Sequence, residues 1–408
     1  MIKTSPKDSS KIILNVEKAE KELGFVCQYH MENILLILRT EREEIKMKKV
    51  LILGAGNAQI DAIEYCKGQG YKVYGCSYTD TDKGIPYLDE FKQINIIDAE
   101  AVAEYVKDNG IDLVYSVGSD LAMPTVAKVS EKLGLPHFVS YDTALTCNLK
   151  HKMRVALGND FKGNVPFKVI EKLEDAEDFE CYPAMMKPVD SQGQRGVHKV
   201  ESFEEIKENF EKSMLYSKSG KIILESYLEG QEISVNTYVK NGKVIFALVS
   251  DRVSFKEFPG GIIKKHLLPT QFSKNVVEKV KDLVQRVLQK LEIKDGPAYF
   301  QIKVVGDEPY LIEVTPRLDG CHMWRLINIY CGVNLLDMSF KQLIGESVSC
   351  EPKYKEGNYT LKFMCQPPYT EVISHAVEPG IYTRWYYDIG DKVKELNGYM
   401  EKCGYNIF

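Results

Sequence analysis

Between Met47 and about residue 140 the chain switches repeatedly between two textures: KKVLILGAG, then a helical stretch through AIEYCKGQG, then YKVYGCSY, AEAVAEYVKDNG, IDLVYSVGSD and LPHFVS. Short apolar runs separated by amphipathic helices commit a segment to a parallel sheet wrapped by helices. This is the strongest constraint the sequence places on the fold.

Gly54-Ala55-Gly56 stands after the first strand, where a phosphate-binding turn would lie. A dinucleotide fingerprint needs a third glycine where Gln59 stands, and an acid closing the second strand where Cys76 and Ser77 stand. Both are missing, so the reading is a Rossmann-like domain over residues 47–140 without NAD. Its first loop then helps to hold a substrate or packs on a neighbouring element.

From residue 141 to 345 the strands are short and broken by turns, as in YPAMMKPV, KIILESYL, EISVNTYV, KVIFALVS, AYFQIKVV and PYLIEV. That pattern is mixed, largely antiparallel α+β. The helix NVVEKVKDLVQRVLQKL carries Val276, Val280, Leu283, Val287 and Leu291 on one stripe, which marks a packing helix. Residues 346–408, with NYTLKFMCQ and MEKCGYNIF, read as a small strand-rich closing module. The expected fold class is therefore α/β followed by α+β.

Residues 1–46 form an extension ahead of these domains. Within it, NVEKAEKELGFVCQYHMENILLIL resembles the tail of nucleotide-sugar epimerases of the extended short-chain dehydrogenase type. A helical appendage is the other reading of the same residues.

Composition excludes several function classes. A net charge of −5 offers no basic footprint for nucleic acid. No apolar run approaches the roughly 20 residues a membrane helix needs. The 10 cysteines are scattered without a C-x-x-C pair and read as reduced thiols in a cytoplasm. Cys321 and His322 are adjacent, and neighbours on a chain rarely converge on one ion, so they are not read as a metal or nucleophile pair.

The stretch LIEVTPRLDG, residues 311–320, sets an apolar strand against Glu313, Thr315 and Arg317, which alternate so as to face one side. The preceding strand AYFQIKVV joins PYLIEV through a turn with Gly306, Asp307 and Pro309, a hairpin signal. Pairing Val304 with Tyr310 sets Gln301 opposite Glu313. A carboxylate, an amide oxygen and a hydroxyl are hard donors suited to Mg²⁺, which takes its remaining ligands from water and substrate phosphates. Arg317 would then meet phosphate as a fork that stays charged.

Upstream, PAMMKPVDSQGQRGV puts Lys187 at a strand end ahead of a loop with Gly193 and Gly196. Amides freed by glycine can wrap phosphate oxygens while a lysine supplies a point charge. In KIILESYLEGQEISV, Glu225 and Glu232 flank Tyr227 and Leu228. Extended backbone there can meet the edge of adenine, and an acid can accept ribose hydroxyls.

As an ordered set, these pieces resemble the ATP-grasp superfamily over residues 47 to about 345. The resemblance implies an ATP site in which Lys150, or Lys152 if the register shifts by two, and Lys187 meet phosphates. It implies a closing loop over residues 190–196, with Ser191, Gly193 and Gly196. It further implies an adenine hinge at Glu225, Tyr227 and Leu228, a ribose acid at Glu232, and metal ligands Gln301, Glu313 and Thr315 for Mg²⁺ or Mn²⁺. Arg317 matches the catalytic arginine. Gln301 and Thr315 depart from the commoner acid and asparagine, which bears on whether two ions bind.

The activity implied is ADP-forming ligation, in which a small carboxylate is phosphorylated by ATP and joined to a small amine, with a homodimer as the family habit. His322 and Arg325 are expected to face the acceptor pocket and hold the carboxylate. A purine-pathway type of enzyme, akin to phosphoribosylglycinamide or aminoimidazole carboxylate synthetases, and a non-catalytic nucleotide-binding protein stay open as alternatives.

Overall fold

In the computed structural model, residues 47–408 are described apart from 191–194, 259–260 and 397. The epimerase-like stretch, Ser191 and Gly193 lie outside the described residues. Residues 49–408 form one unit built on three sheets.

The first sheet is parallel. Strands β1 (Lys49–Leu53), β2 (Lys72–Ser77), β3 (Glu90–Gln93) and β4 (Leu113–Tyr115) run in the order β3-β2-β1-β4. Helices α1 (Asn57–Gly68), α2 (Ala99–Asn109) and α3 (Met123–Leu133) alternate with them, as the sequence pattern requires. The turn after β1 is occupied by a side chain. The Gln59 side chain packs against Gly54 and Gly56, and its amide donates to the Val117 carbonyl at 2.6 Å. The residue that replaces the third glycine thus fills the turn itself and ties it to the end of β4.

Helices α4 (Tyr141–Asn148) and α5 (Lys150–Leu157) lead into a small antiparallel sheet. Its strands are β5 (Phe167–Ile170), β6 (Ala184–Pro188), β7 (His198–Val200) and β8 (Ile222–Ser226), in the order β5-β8-β6-β7. Helix α6 (Phe203–Met214) covers it, inserting Ile206 and Phe210 into a separate small core with Met186 and Leu224.

The third sheet has eight antiparallel strands. They are β9 (Gln231–Lys240), β10 (Lys243–Ser254), β11 (Ile263–Leu268), β12 (Gly296–Val305), β13 (Glu308–Thr315), β14 (Tyr359–Gln366), β15 (Tyr382–Trp385) and β16 (Glu401–Ile407). Their order is β13-β12-β9-β10-β11-β14-β16-β15. The strands that the sequence sets apart as a closing module therefore extend the central sheet, because β14 pairs with the outer edge of β11 from Lys265↔Lys362 to Leu268↔Tyr359.

Helix α7 (Lys274–Lys290) packs on this sheet. Ser273 caps it by accepting from the Val276 amide at 3.3 Å, and Val276, Val280, Leu283, Val284, Val287 and Leu288 are buried. Burial of each such side chain contributes about 1.5–3 kcal/mol before entropy is counted, and they meet Val235, Ile302 and Leu311 of the sheet in one core. Two helices, α8 (Met323–Cys331) and α9 (Leu335–Leu343), follow β13. Among the described residues no helix is long and apolar enough to cross a membrane.

Candidate functional site

Strands β12 and β13 deliver the cross-strand pair Gln301↔Glu313, as the hairpin reading expects. The turn end differs: Val304 pairs with Pro309 and Ile302 with Leu311, so a bulge at Ile312 shifts the register by one. A one-residue bulge re-aims the side chains beyond it. It leaves Glu313 and Gln301 side by side, with Thr315 paired to Tyr299 further along the same face.

A cavity of about 560 Å³ opens at this face. Lys150, Glu232, Gln301, Glu313 and Arg317, all anticipated from sequence, line it together with Arg252 and Tyr299. Lys150, at the start of α5, reaches Glu313 Oε2 at 3.2 Å and lines the cavity, whereas Lys152 is exposed and does not line it. Burial opposes the charge on Glu313, yet the Lys150 ammonium and Arg317 guanidinium hold its carboxyl below the usual range. Glu232 accepts from Gln301 Nε2 at 3.2 Å and is also ion-paired with Arg252.

Arg317 is buried and held from three sides. Its Nε donates to Asp120 Oδ1 at 2.8 Å, its Nη1 donates to the Leu318 carbonyl at 2.9 Å, and its guanidinium lies 5.7 Å from the Tyr299 ring centre. Asp120 comes from the loop after β4. That loop approaches so closely that a Cβ on Gly118, whose φ is +69°, would lie 2.6 Å from the Gly320 Cα. Only glycines permit this contact, and through it the parallel sheet positions the arginine.

A second cluster joins the small sheet to the large one. Glu225 is buried between Lys187 and Arg154, with Arg154 Nε at 2.7 Å. Although burial works against the carboxylate, the Arg154 and Lys187 charges hold it down at about 2. The same burial lowers Lys187, opposed by Glu225. Arg154 continues to Asn164 Oδ1 at 2.9 Å and to the Leu311 carbonyl at 2.7 Å. The Glu225 carboxylate is thus consumed as the anchor of Lys187 and does not itself face the cavity.

Beyond Glu225, the Tyr227 ring lies between Lys199 at 4.8 Å and Lys303 at 5.5 Å, and Lys303 also donates to the Leu228 carbonyl at 3.0 Å. Lys187, Tyr227 and Leu228 do not line the cavity. Gly196 closes the β6–β7 loop at φ +71°, its carbonyl accepting from Ser213 Oγ at 2.8 Å.

His322 and Arg325, expected in an acceptor pocket, are engaged elsewhere. Asp61 of α1 collects both: His322 Nδ1 lies 2.6 Å from Oδ2, and Arg325 Nη2 lies 3.2 Å from Oδ1. Trp324 Nε1 and Arg384 complete the set at 2.9 and 3.2 Å. The second ring nitrogen of His322 meets the Tyr386 hydroxyl at 2.6 Å, and its ring stacks on Tyr405 at 4.3 Å. Even the left-handed backbone of His322 (φ +58°) is over-determined by these contacts. The physical reason for the correction is that α8 turns both side chains toward α1 and the last strands, away from the cavity.

Among the charged residues around the cavity and around Glu225, several went unread in the sequence. Arg154 shares a helix face with Lys150 at i, i+4, and Asp120 follows a strand of the parallel sheet at its carboxyl end; both signals were available. Arg252 and Lys303 carried none.

The donor set suits Mg²⁺. Glu313 and the Gln301 amide are oxygen donors on one face, and beside them the buried Thr315 Oγ1 has no hydrogen-bond partner. An orphaned buried hydroxyl costs about 1–3 kcal/mol.

Known proteins resemble this chain in both sequence and fold. Residues 180–324 match the ATP-grasp domain. The ammonia-type carbamoyl-phosphate synthase of Rattus norvegicus mitochondria is 28% identical over 188 residues, 45% of this chain and 12% of that protein. Phosphoribosylglycinamide synthetase from Anaerococcus prevotii superimposes with a TM-score of 0.73 at 19% identity, covering 89% of this chain and 94% of that one. L-amino acid ligase from Bacillus licheniformis gives 0.71 at 20%, covering 88% and 92%. Residues 180–324 thus match an ATP-grasp domain, and the chain shares its fold with the phosphoribosylglycinamide synthetase and the L-amino acid ligase. The match spans about an eighth of the length of the carbamoyl-phosphate synthase.

Proposed function

We propose that the protein is an ATP-dependent, ADP-forming ligase that activates a small carboxylate as an acyl phosphate and joins it to an amine. The observation that carries this reading is the gathering of Lys150, Gln301, Glu313 and Arg317 around one cavity with Arg317 fixed in place by Asp120. Fold likeness to an amino-acid ligase and a glycinamide synthetase supports it.

Phosphoryl transfer asks little covalent chemistry of a protein and much positioning of charge. In the proposed reaction a carboxylate oxygen attacks the γ-phosphorus and ADP leaves. The amine nitrogen then attacks the acyl carbon, phosphate departs and the nitrogen loses a proton. Lys150 and Lys187 neutralise the nucleotide phosphates, while Arg317, immobilised before substrate arrives, stabilises the charge that develops on the transferred group. The backbone at Tyr227 and Leu228 meets the edge of adenine, and Glu232 takes the ribose hydroxyls. Glu313 and Gln301, with Thr315 beside them, would hold Mg²⁺, which supplies charge neutralisation across the phosphates. The loop over residues 190–196 would exclude water from the acyl phosphate.

The test is ADP release in Mg²⁺ across a panel of carboxylates, with hydroxylamine present. A hydroxamate that forms only with one acid supports the reading and names that acid. ATP binding with no ADP release for any acid and amine pair would leave a non-catalytic nucleotide-binding protein.

A further inference from the structure

At the cavity wall, Asp319 and Cys321, with the fully buried His266 next to them, are three groups that the proposed ligation does not use. His266 projects from β11, opposite Arg252 in the ladder. Asp319 and Cys321 sit in the turn between β13 and α8, and both line the cavity. A ring nitrogen of His266, a carboxylate oxygen of Asp319 and the Cys321 Sγ all lie within 4.8 Å of one another. The residues are 0%, 4% and 8% exposed.

His266 is the telling member. Both of its ring nitrogens are buried with no hydrogen-bond partner, although an imidazole in a core nearly always donates one proton and accepts another. Its neighbours are the Asp319 carboxyl and the Cys321 thiol, so the cluster presents one nitrogen, one oxygen and one sulfur in place of a conventional hydrogen-bond partner.

The groups around the cluster are those of an outer shell. The Cys321 amide donates to Asp319 Oδ1, which fixes the carboxylate. Lys402 Nζ stands 3.5 Å from Cys321 Sγ, where it can remain as a donor to a bound thiolate, the usual way an outer shell tunes a ligand. Loss of the thiol proton on binding gives a thiolate, a carboxylate and a dication, which together carry no net charge beside Arg252 and Lys402.

We propose that His266, Asp319 and Cys321 form a binding site for a zinc-class divalent ion, distinct from the oxygen-only set at Glu313 and Gln301, with a fourth position open to the cavity. One nitrogen, one sulfur and one oxygen donor select a borderline-soft ion over Mg²⁺. Tetrahedral ligands around zinc stand roughly 3.5 Å apart, so small side-chain rotations close the cluster. Three protein ligands leave one position for water or a donor atom of a molecule in the cavity.

Cobalt(II) is the probe. The full chain, stripped of metal with a chelator and titrated with Co²⁺ in the presence of excess Mg²⁺, is expected to take up one Co²⁺ per site with a thiolate-to-cobalt absorption band in the near ultraviolet. The band should vanish in Cys321→Ser, persist in Cys181→Ser, whose cysteine is exposed, and disappear from the wild type on adding equimolar Zn²⁺. Alkylation of Cys321 should slow when Zn²⁺ is present, a readout that needs no variant to fold. A wild-type protein that shows no band, or a Cys321 alkylated at the same rate with and without Zn²⁺, would overturn the proposal.

Discussion

Two clusters of buried charge lie a few residues apart in this chain, and they differ in one respect. Around Asp61, each carboxylate oxygen has its donors: Oδ1 accepts from Arg325 and Arg384, and Oδ2 is met by His322 and Trp324. Around the cavity, Thr315 Oγ1, Arg252 Nε and both nitrogens of His266 are buried without partners. A closed network specifies a fold, while an open one is a cost that a ligand can repay. By the satisfaction of its polar atoms, the Asp61 network reads as a structural joint, whereas the cavity has the unsatisfied polar atoms expected of the proposed active site.

Breaking the closed cluster should have a large effect on stability. Asp61 has a fully buried side chain facing two arginines and a histidine, and removing one partner of a buried set costs about 3–5 kcal/mol. Asp61→Ala is expected to lower stability by about that amount in urea denaturation, while molecules that remain folded keep their ATP affinity. A shift under 1 kcal/mol would show that the network is not what joins α1 to the last strands.

A smaller effect sharpens the same contrast by pH. Asp61 is buried, yet the hydrogen bond and charge of His322, then Arg325, bring its pKa from 3.8 down to about 2. Glu225 likewise falls from 4.5 to about 2 against Arg154 and Lys187. A carboxyl depressed in the fold contributes stability that is complete above its unfolded value and is lost as pH falls toward the folded value. Stability should therefore decline between about pH 4.5 and 2, and the decline should be shallower in Asp61→Asn, measured by urea midpoints along a pH series. An unchanged slope would remove Asp61 from the acid response.

The two regions were unequally legible in the sequence. The hairpin was readable because alternation along β13 put Glu313 and Thr315 on one face and the turn placed Gln301 opposite Glu313, with Arg317 two residues past the strand end. The bulge at Ile312 was not readable, since no glycine or proline marks it. The Asp61 network was hidden because its members, from Asp61 to Tyr405, meet only through tertiary packing; His322 and Arg325 were assigned to the cavity on proximity in sequence to Arg317. His266 was not singled out at all, since it approaches Cys321 from β11, far away in sequence. The role of Glu225 was misread for a related reason. Its spacing from Tyr227 suggested the hinge, but its side chain points to Lys187 and Arg154, which arrive from elements far away in sequence.

The most direct test of the central claim compares carboxylate-dependent ADP release in Glu313→Gln and Arg317→Ala with that in Asp61→Ala, each normalised to folded protein. Loss of a preorganised charge at the reacting group is worth about 10²–10³ in turnover or more. Both cavity variants are expected to lose at least that much while keeping the wild-type circular dichroism, and Asp61→Ala is expected to retain turnover per folded molecule. Near-normal ADP release from either cavity variant would contradict the assignment of the active site to this cavity.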